Sequence, residues 1–201
     1  MSKITLSYFD LPGGRGEDCR ITMFMAGVDF EDDRISFADW PGRKDSTPLG
    51  ALPTMTIEGK GTITQSNAIL VYLGRSYGLH PTDPWEAARH EAILGASEDL
   101  RVAVVPTFYI QDAEEKKKVR EELAKTKVRQ WGALVESEIA GPYVSGDTLH
   151  VVDLRVYLMA EWFLGGVVEH TPADVFDDFP KLKAPWDAVK NHEEVVAWYA
   201  R

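Results

Sequence analysis

The stretch that decides the fold is "LGALPTMTIEGKGTITQSNAIL", Leu49 to Leu70. Two short β-forming runs, "PTMTI" and "TITQ", flank the turn residues Glu58-Gly59-Lys60-Gly61, and that spacing predicts a hairpin. Immediately afterwards the period changes. From Ser66 onward Ala68, Ile69, Val71, Tyr72 and Leu73 supply the apolar content of a helix, with Ser66 at its start. A Leu-Pro pair thus leads into a hairpin, and Gln65-Ser66 closes it into a helix.

Working toward the N-terminus, "FEDDRI" reads as a strand and "SFADWPGRKDSTPLG" as a long polar loop. Before them, helical spacing of Ile21, Phe24, Met25 and Val28 predicts a helix from Glu17 that Gly27 breaks. "ITLSYF" alternates Ile4, Leu6 and Tyr8 against Thr5, Ser7 and Phe9, a strand, and "DLPGGRG" turns out of it. The order strand, helix, strand, hairpin, helix requires one parallel crossover followed by an antiparallel pair, hence a small mixed sheet with helices packed on it.

Toward the C-terminus, residues 79–84 form a linker, and Asp83-Pro84 with Glu86 reads as a capping box opening the next helix. Beyond it only helical patterns occur: 84–105, 112–140, the nearly all-apolar "VVDLRVYLMAEWFLGGVV", and one or two helices in "KAPWDAVKNHEEVVAWYA". The fold class is an α/β domain over 1–78, with a mixed four-stranded sheet and helices, plus an all-helical domain over 85–201.

With 201 residues and 44% hydrophobic content the chain can bury a sizeable core. A net charge of −10 argues against nucleic acid and anionic membrane surfaces, which are themselves polyanions. One cysteine excludes an internal disulfide and a CxxC pair, consistent with a reducing compartment. No apolar run approaches the roughly 20 residues of a membrane span. Strand-like residues begin almost at once, so no signal peptide is expected and the expected location is cytoplasmic.

Leu52-Pro53, the hairpin, and Gln65-Ser66-x-Ala68-Ile69-x-x-Tyr72-Leu73 together resemble the glutathione-binding signature of cytosolic glutathione transferases. Tyr8 near the end of the first strand is similar to the catalytic tyrosine of the tyrosine-type classes. "WPGRKDSTPLGALP" is most similar to the sigma class, which includes prostaglandin D synthases. The resemblance implies a thioredoxin-like first domain and a helical second domain that forms the electrophile pocket. It also implies a homodimer, glutathione as co-substrate, no tightly bound cofactor and no metal.

The resemblance further implies residue roles. Ser66 would hold the γ-glutamyl carboxylate with its hydroxyl and N–H, aided by Gln65, since a helix N-terminus offers free N–H groups and positive dipole. Leu52, turned by a cis bond to Pro53, would pair its backbone with the cysteinyl unit of glutathione. Trp40 and Lys44 would hold the glycine carboxylate, and Asp99 of a partner subunit the ammonium. Tyr8 would donate a hydrogen bond to the sulfur, with Arg15 adding positive potential. A free thiol with pKa about 8.5 is only slightly ionised at neutrality, and lowering it by roughly two units requires about 2.7 kcal/mol of thiolate stabilisation. Phe9, Gly14, Val102, Val105, Pro106 and Trp162 would line the electrophile pocket. The implied reaction is conjugation to small hydrophobic electrophiles. The alternatives are glutathione-dependent isomerisation or peroxide reduction, and a non-catalytic ligandin or crystallin-like role.

Three departures stand out. The family's Arg-Gly-Arg-Ala-Glu is here "PGGRGE", one residue longer, so Arg15 matches its arginine only approximately. Ala51 lacks the side chain that Gln or Lys contributes there, and His150 replaces the Ser or Thr cap before Asp153. Without the motif, Tyr8 would be a core tyrosine, Ser66 an N-cap, Asp99 a surface acid, and Arg15 a partner for Glu17 or Asp18. Cys19 sits inside the first helix and is read as buried. The scattered histidines make no metal site. "EEKKKVREE" reads as a solvated face, and Trp85, Trp131, Trp186 and Trp198 as packing residues.

Overall fold

The computed structural model describes residues 2–201. In order, the elements are β1 (Ile4–Phe9), α1 (Gly14–Met25), β2 (Glu31–Ile35), the short α2 (Trp40–Arg43), β3 (Thr54–Ile57), β4 (Gly61–Thr64) and α3 (Ser66–Tyr77). Then follow α4 (Pro84–Val104), α5 (Ala113–Leu123), α6 (Arg129–Glu138), α7 (Val151–Leu164), α8 (Lys183–Lys190) and α9 (Glu193–Tyr199). The chain divides into two compact units, Met1–Pro81 with Glu193–Arg201, and Thr82–His192. The last nine residues therefore belong to the first unit, whereas the sequence reading placed them with the second.

In the first unit the strand order is β2-β1-β3-β4. β1 pairs parallel with β2, and antiparallel pairs join β1 to β3 and β3 to β4. Leu6 lies level with Asp32 on one side and Met55 on the other, and Leu6 and Met55 are fully buried. α1 and α3 supply the covering layer with Cys19, Ile21, Met23, Ile69, Leu70 and Leu73, all at 0% exposure. Cys19 is thus a core residue.

Two local readings need correction. α1 begins at Gly14, not Glu17, because the loop winds into the helix through glycines that carry no periodic signal. The segment after β2 is not all loop: Trp40–Arg43 and Lys44–Ser46 each form a single helical turn. Arg43 ties that turn to β2 with bonds of 2.9 and 2.6 Å to the two carboxylate oxygens of Asp33.

The second unit is all helical. α7 is buried at every position from Val151 to Ala160, as its nearly all-apolar sequence predicts, and the burial takes in Asp153 and Arg155 as well. Asp83 caps α4, accepting from the N–H groups of Trp85 and Glu86 at 3.0 Å each. The Glu86 carboxylate is engaged by Arg89 at 2.9 Å. The expected single helix over 112–140 is α5 and α6 joined by a wider π-helical turn at Ala124–Val128. Within the run read as a solvated face, Arg120 is buried: its Nε donates to Thr107 Oγ1 at 3.0 Å and its guanidinium covers the Phe108 ring. Trp131 and Trp198 are packed, Trp186 is half-buried, but Trp85 is 73% exposed at the first turn of α4.

Candidate functional site

The sheet register assembles the first-unit candidates. Ser7 pairs with Thr54 and Thr54 pairs with Thr64. The next residues along the same row are Tyr8, Pro53 and Gln65, so all three sit at one end of β1, β3 and β4. Neighbouring strands lie about 4.8 Å apart, so the row spans about 10 Å, which is also the length of an extended tripeptide. α3 starts from this row at Ser66, which is buried at the helix N-terminus. Gln65 is held at φ 68°, a conformation that a non-glycine residue rarely adopts and that tertiary contacts must enforce. The Leu52–Pro53 peptide bond is cis, Leu52 is half-buried and Pro53 buried.

Tyr8 is 6% exposed and lies under the first turn of α1. The backbone N–H of Arg15 donates to the phenolic oxygen at 2.9 Å. That contact uses a lone pair of the oxygen and not its hydrogen, so the phenol keeps its character as a donor. The Tyr8 and Phe9 rings meet edge-on at 5.5 Å, and Phe9 touches the Trp40 ring at 5.6 Å and stacks on Phe37 at 4.7 Å. This aromatic chain carries α2 to the end of β1. Trp40 is half-buried and Lys44 exposed, its aliphatic stem running past Gly50. The Ala51 N–H is taken by Thr47 Oγ1 at 3.1 Å.

Behind the loop, Arg20 is fully buried and organises the turn. Its Nε donates to Asp32 at 2.8 Å, Nη2 to the Phe9 carbonyl at 3.1 Å and Nη1 to the Leu11 carbonyl at 3.4 Å. It also stands 5.6 Å from the Tyr8 ring centroid. Beside it, burial pushes the Glu17 carboxyl above its usual value, opposed by the Trp198 indole and Arg20.

In the second unit, Asp99 lies on an exposed face of α4, with Val102 exposed nearby at 58%. Val105 is half-buried and Pro106 exposed in the turn that follows, and Trp162 is half-buried on α7, edge-on to Phe108 at 5.9 Å. Gly14 in the first unit is buried against Tyr8. Among the described residues no group of three or more His, Cys, Asp or Glu could hold a metal, and no helix is long and apolar enough to cross a membrane.

The sequence reading missed the part played by the glycines of "PGGRG". A Cβ on Gly14 would stand 2.6 Å from the Tyr8 oxygen, and one on Gly16 would stand 2.4 Å from Tyr8 Cγ. Glycine at both positions lets α1 lie directly on the ring. Three glycines within four residues after a strand-end tyrosine was the available signal.

The glutathione S-transferase N-terminal domain family matches residues 4–75, and the C-terminal domain family matches residues 98–201. Glutathione S-transferase 1 of Ascaris suum is 31% identical over 207 residues, spanning 100% of this chain and 97% of its own. Among solved structures, prostaglandin synthase D of Nilaparvata lugens aligns at 29% identity over 99% of this chain and 98% of its own, with TM-score 0.84. A glutathione S-transferase of Necator americanus described as monomeric aligns at 25% identity over 98% and 96%, with TM-score 0.86. The two domain matches and the full-length relative agree: the chain belongs to the glutathione S-transferase family and is a glutathione transferase.

Proposed function

We propose that the enzyme binds glutathione along the Tyr8–Pro53–Gln65 row, ionises its thiol with Tyr8 and conjugates it to small hydrophobic electrophiles. The γ-glutamyl carboxylate takes the Ser66 hydroxyl and N–H at the positive end of α3, with Gln65 beside it. Leu52 pairs main chain to main chain with the cysteinyl residue, and Trp40 and Lys44 receive the glycine carboxylate. The sulfur then lies at the Tyr8 hydroxyl. A phenol donating to a thiolate stabilises the charged form, and Arg15 at the start of α1 adds positive potential. The thiol proton leaves to solvent, the sulfur lone pair forms a bond to the electrophilic carbon, and the leaving group departs with its bonding electrons. Val102, Val105, Pro106 and Trp162, all of the second unit, are the apolar side chains we assign to the electrophile.

The observation that supports this reading is the Arg15 N–H bond to the Tyr8 oxygen at 2.9 Å, which that oxygen accepts on a lone pair. Conjugation of glutathione to a chloronitrobenzene tests it. Turnover falls at least tenfold in Tyr8→Phe; unchanged turnover rejects the mechanism.

A second reading, glutathione-dependent isomerisation or peroxide reduction at the same site, is supported by the likeness to the Nilaparvata lugens prostaglandin synthase D. Endoperoxide and hydroperoxide substrates separate the two by product. A homodimer in the cytoplasm, with the exposed Asp99 completing a second copy's ammonium site, belongs to the same proposal. Sedimentation measures it directly, and the monomeric Necator americanus relative shows that a similar chain need not pair.

A further inference from the structure

We propose that Arg43 and Asp33 are positioning residues for the glycine end of glutathione: their ion pair fastens α2 to the sheet and so places Trp40 and Lys44. It rests on the reading of Trp40 and Lys44 as receivers of the glycine carboxylate, and it adds what holds those two side chains in place.

α2 spans only Trp40–Arg43 and is followed by a second single turn at Lys44–Ser46. Helices shorter than about 12 residues are marginal on their own, so the place of this one must come from contacts with the sheet. Alternation along β1 turns Tyr8 to one face, under α1, and Ser7 and Phe9 to the other. α2 attaches on the side of Ser7 and Phe9 by two separate contacts. One is aromatic, with Phe9 stacked on Phe37 and edge-on to Trp40. The other is polar and belongs to Arg43.

Ser7 and Asp33 lie level on β1 and β2, and the Ser7 hydroxyl donates to Asp33 Oδ2 at 2.7 Å. Arg43 closes over the same carboxylate, Nη1 to Oδ1 at 2.9 Å and Nη2 to Oδ2 at 2.6 Å. A two-pronged guanidinium contact fixes direction as well as distance. Exposed ion pairs usually contribute little, and the exceptions are those with bidentate geometry or further partners. This pair has both, and the Asp33 side chain is only 21% exposed. The Arg43 hydrogen bonds, helped by Ser7, hold the Asp33 carboxyl below its usual value against the opposing effect of burial.

Arg43 directly precedes Lys44 and stands one turn after Trp40, so anchoring its side chain anchors both. Little else on the chain near Leu52 can replace them. Ala51 brings no polar side chain, and its N–H is already engaged by Thr47 Oγ1 at 3.1 Å. Discrimination for the third residue of the tripeptide therefore depends on where α2 sits.

The test compares glutathione with γ-glutamylcysteine, which lacks only the glycine, by calorimetric titration of wild type, Arg43→Met, Asp33→Asn and Trp40→Phe/Lys44→Met. Contacts to the shared γ-glutamylcysteine part cancel in the ratio of the two affinities. In Arg43→Met and in Asp33→Asn, glutathione affinity should fall about tenfold, the scale of one lost charge-assisted hydrogen bond. Affinity for γ-glutamylcysteine should stay within about twofold, the range of an ordinary surface substitution. If Arg43→Met does not fold, Arg43→Lys takes its place, since lysine keeps the charge and cannot make the fork. A ratio unmoved in both variants, or equal losses for the two thiols, overturns the inference, whatever happens to thermal stability. A ratio lost in Arg43→Met and kept in Asp33→Asn also overturns it, because Arg43 would then meet the carboxylate directly. If the ratio is unmoved in Trp40→Phe/Lys44→Met, the underlying reading of those two residues falls instead.

Discussion

The indole N–H of Trp198 donates to Oε1 of Glu17 at 2.8 Å, across 181 residues of sequence. Glu17 is 2% exposed and Trp198 7%. The other oxygen of Glu17 meets Arg20 Nη1 at 3.4 Å. This bond joins α9 to α1 and gives a physical reason why Glu193–Arg201 belongs to the first unit.

Replacing Trp198 by Phe keeps an aromatic body but leaves a buried carboxylate oxygen without that donor. The cost of such a loss is about 1–3 kcal/mol. Because burial already raises the Glu17 pKa and the indole opposes that rise, the substitution raises it further. A group with a raised carboxyl pKa favours folding below its unfolded value and loses that contribution as pH climbs through the folded value. Urea unfolding should therefore show a larger deficit for Trp198→Phe at pH 7 than at pH 4. A deficit independent of pH would mean that Glu17 is not the group affected.

The first unit was readable because its strands alternate and its hairpin turn is bracketed by glycines. Met55 and Ile57 point inward as their spacing demands, and α3 starts at Ser66 because the hairpin ends there. Periodicity failed where the backbone, not a side chain, does the structural work. Gly13, Gly14 and Gly16 contribute no hydrophobic phase, so three residues at the start of α1 were invisible. Trp40–Arg43 is a single turn, too short to display a period. The membership of α9 depends on a contact with Glu17 that no local pattern encodes. Among the candidate residues, the resemblance supplied the roles and the register supplied their common row.

Arg20 should couple stability to the geometry of the candidate site. Its guanidinium holds the Phe9 and Leu11 carbonyls while pairing with Asp32 and Glu17. Arg20→Met keeps the volume but leaves two carbonyls without their donor and the buried Glu17 without its cation, while Asp32 keeps Arg34 at 2.7 Å; breaking a buried pair in this way costs about 3–5 kcal/mol. The turn carrying Gly13 and Gly14 then loses its anchor. Thermal unfolding checks the first effect, and glutathione turnover below the midpoint checks the second. Full activity in a destabilised Arg20→Met protein would separate the anchor from the site.

Asp153 caps the central helix of the second unit from within. Its two oxygens accept the N–H groups of Val144 at 2.7 Å and His150 at 2.8 Å. Burial pushes its carboxyl up to about 7, against the pull of those donors. From the ordinary value of 3.8, the folded state therefore takes up a proton between about pH 4 and pH 7. This contribution to stability is complete below about pH 4 and is lost as pH rises through 7. Asp153→Asn removes the titration and offers one oxygen for two N–H donors, costing about 1–3 kcal/mol. Unfolding free energies across pH 4.5–7.5 should fall with pH in wild type more steeply than in the variant. Parallel curves would reject the assignment of that slope to Asp153.

Two glycines of the second unit should respond in opposite directions to the same substitution. Gly95 lies in the middle of α4, and a Cβ there meets nothing within 4 Å. Alanine lowers the conformational freedom of the unfolded chain and suits a helix better, so Gly95→Ala should stabilise by about 0.5–1 kcal/mol. Gly132 lies on α6, and a Cβ there would come within 2.7 Å of the Phe179 ring. That ring is 7% exposed and is covered by the Arg129 guanidinium at 5.4 Å, so it has little room to retreat. Overpacking of this kind costs about 1–3 kcal/mol, which outweighs the helix gain. Gly132→Ala should therefore lower the denaturation midpoint while Gly95→Ala raises it. Trimming Phe179 to Leu in the Gly132→Ala background should recover part of the loss, and failure to recover any would place the strain elsewhere than at this ring.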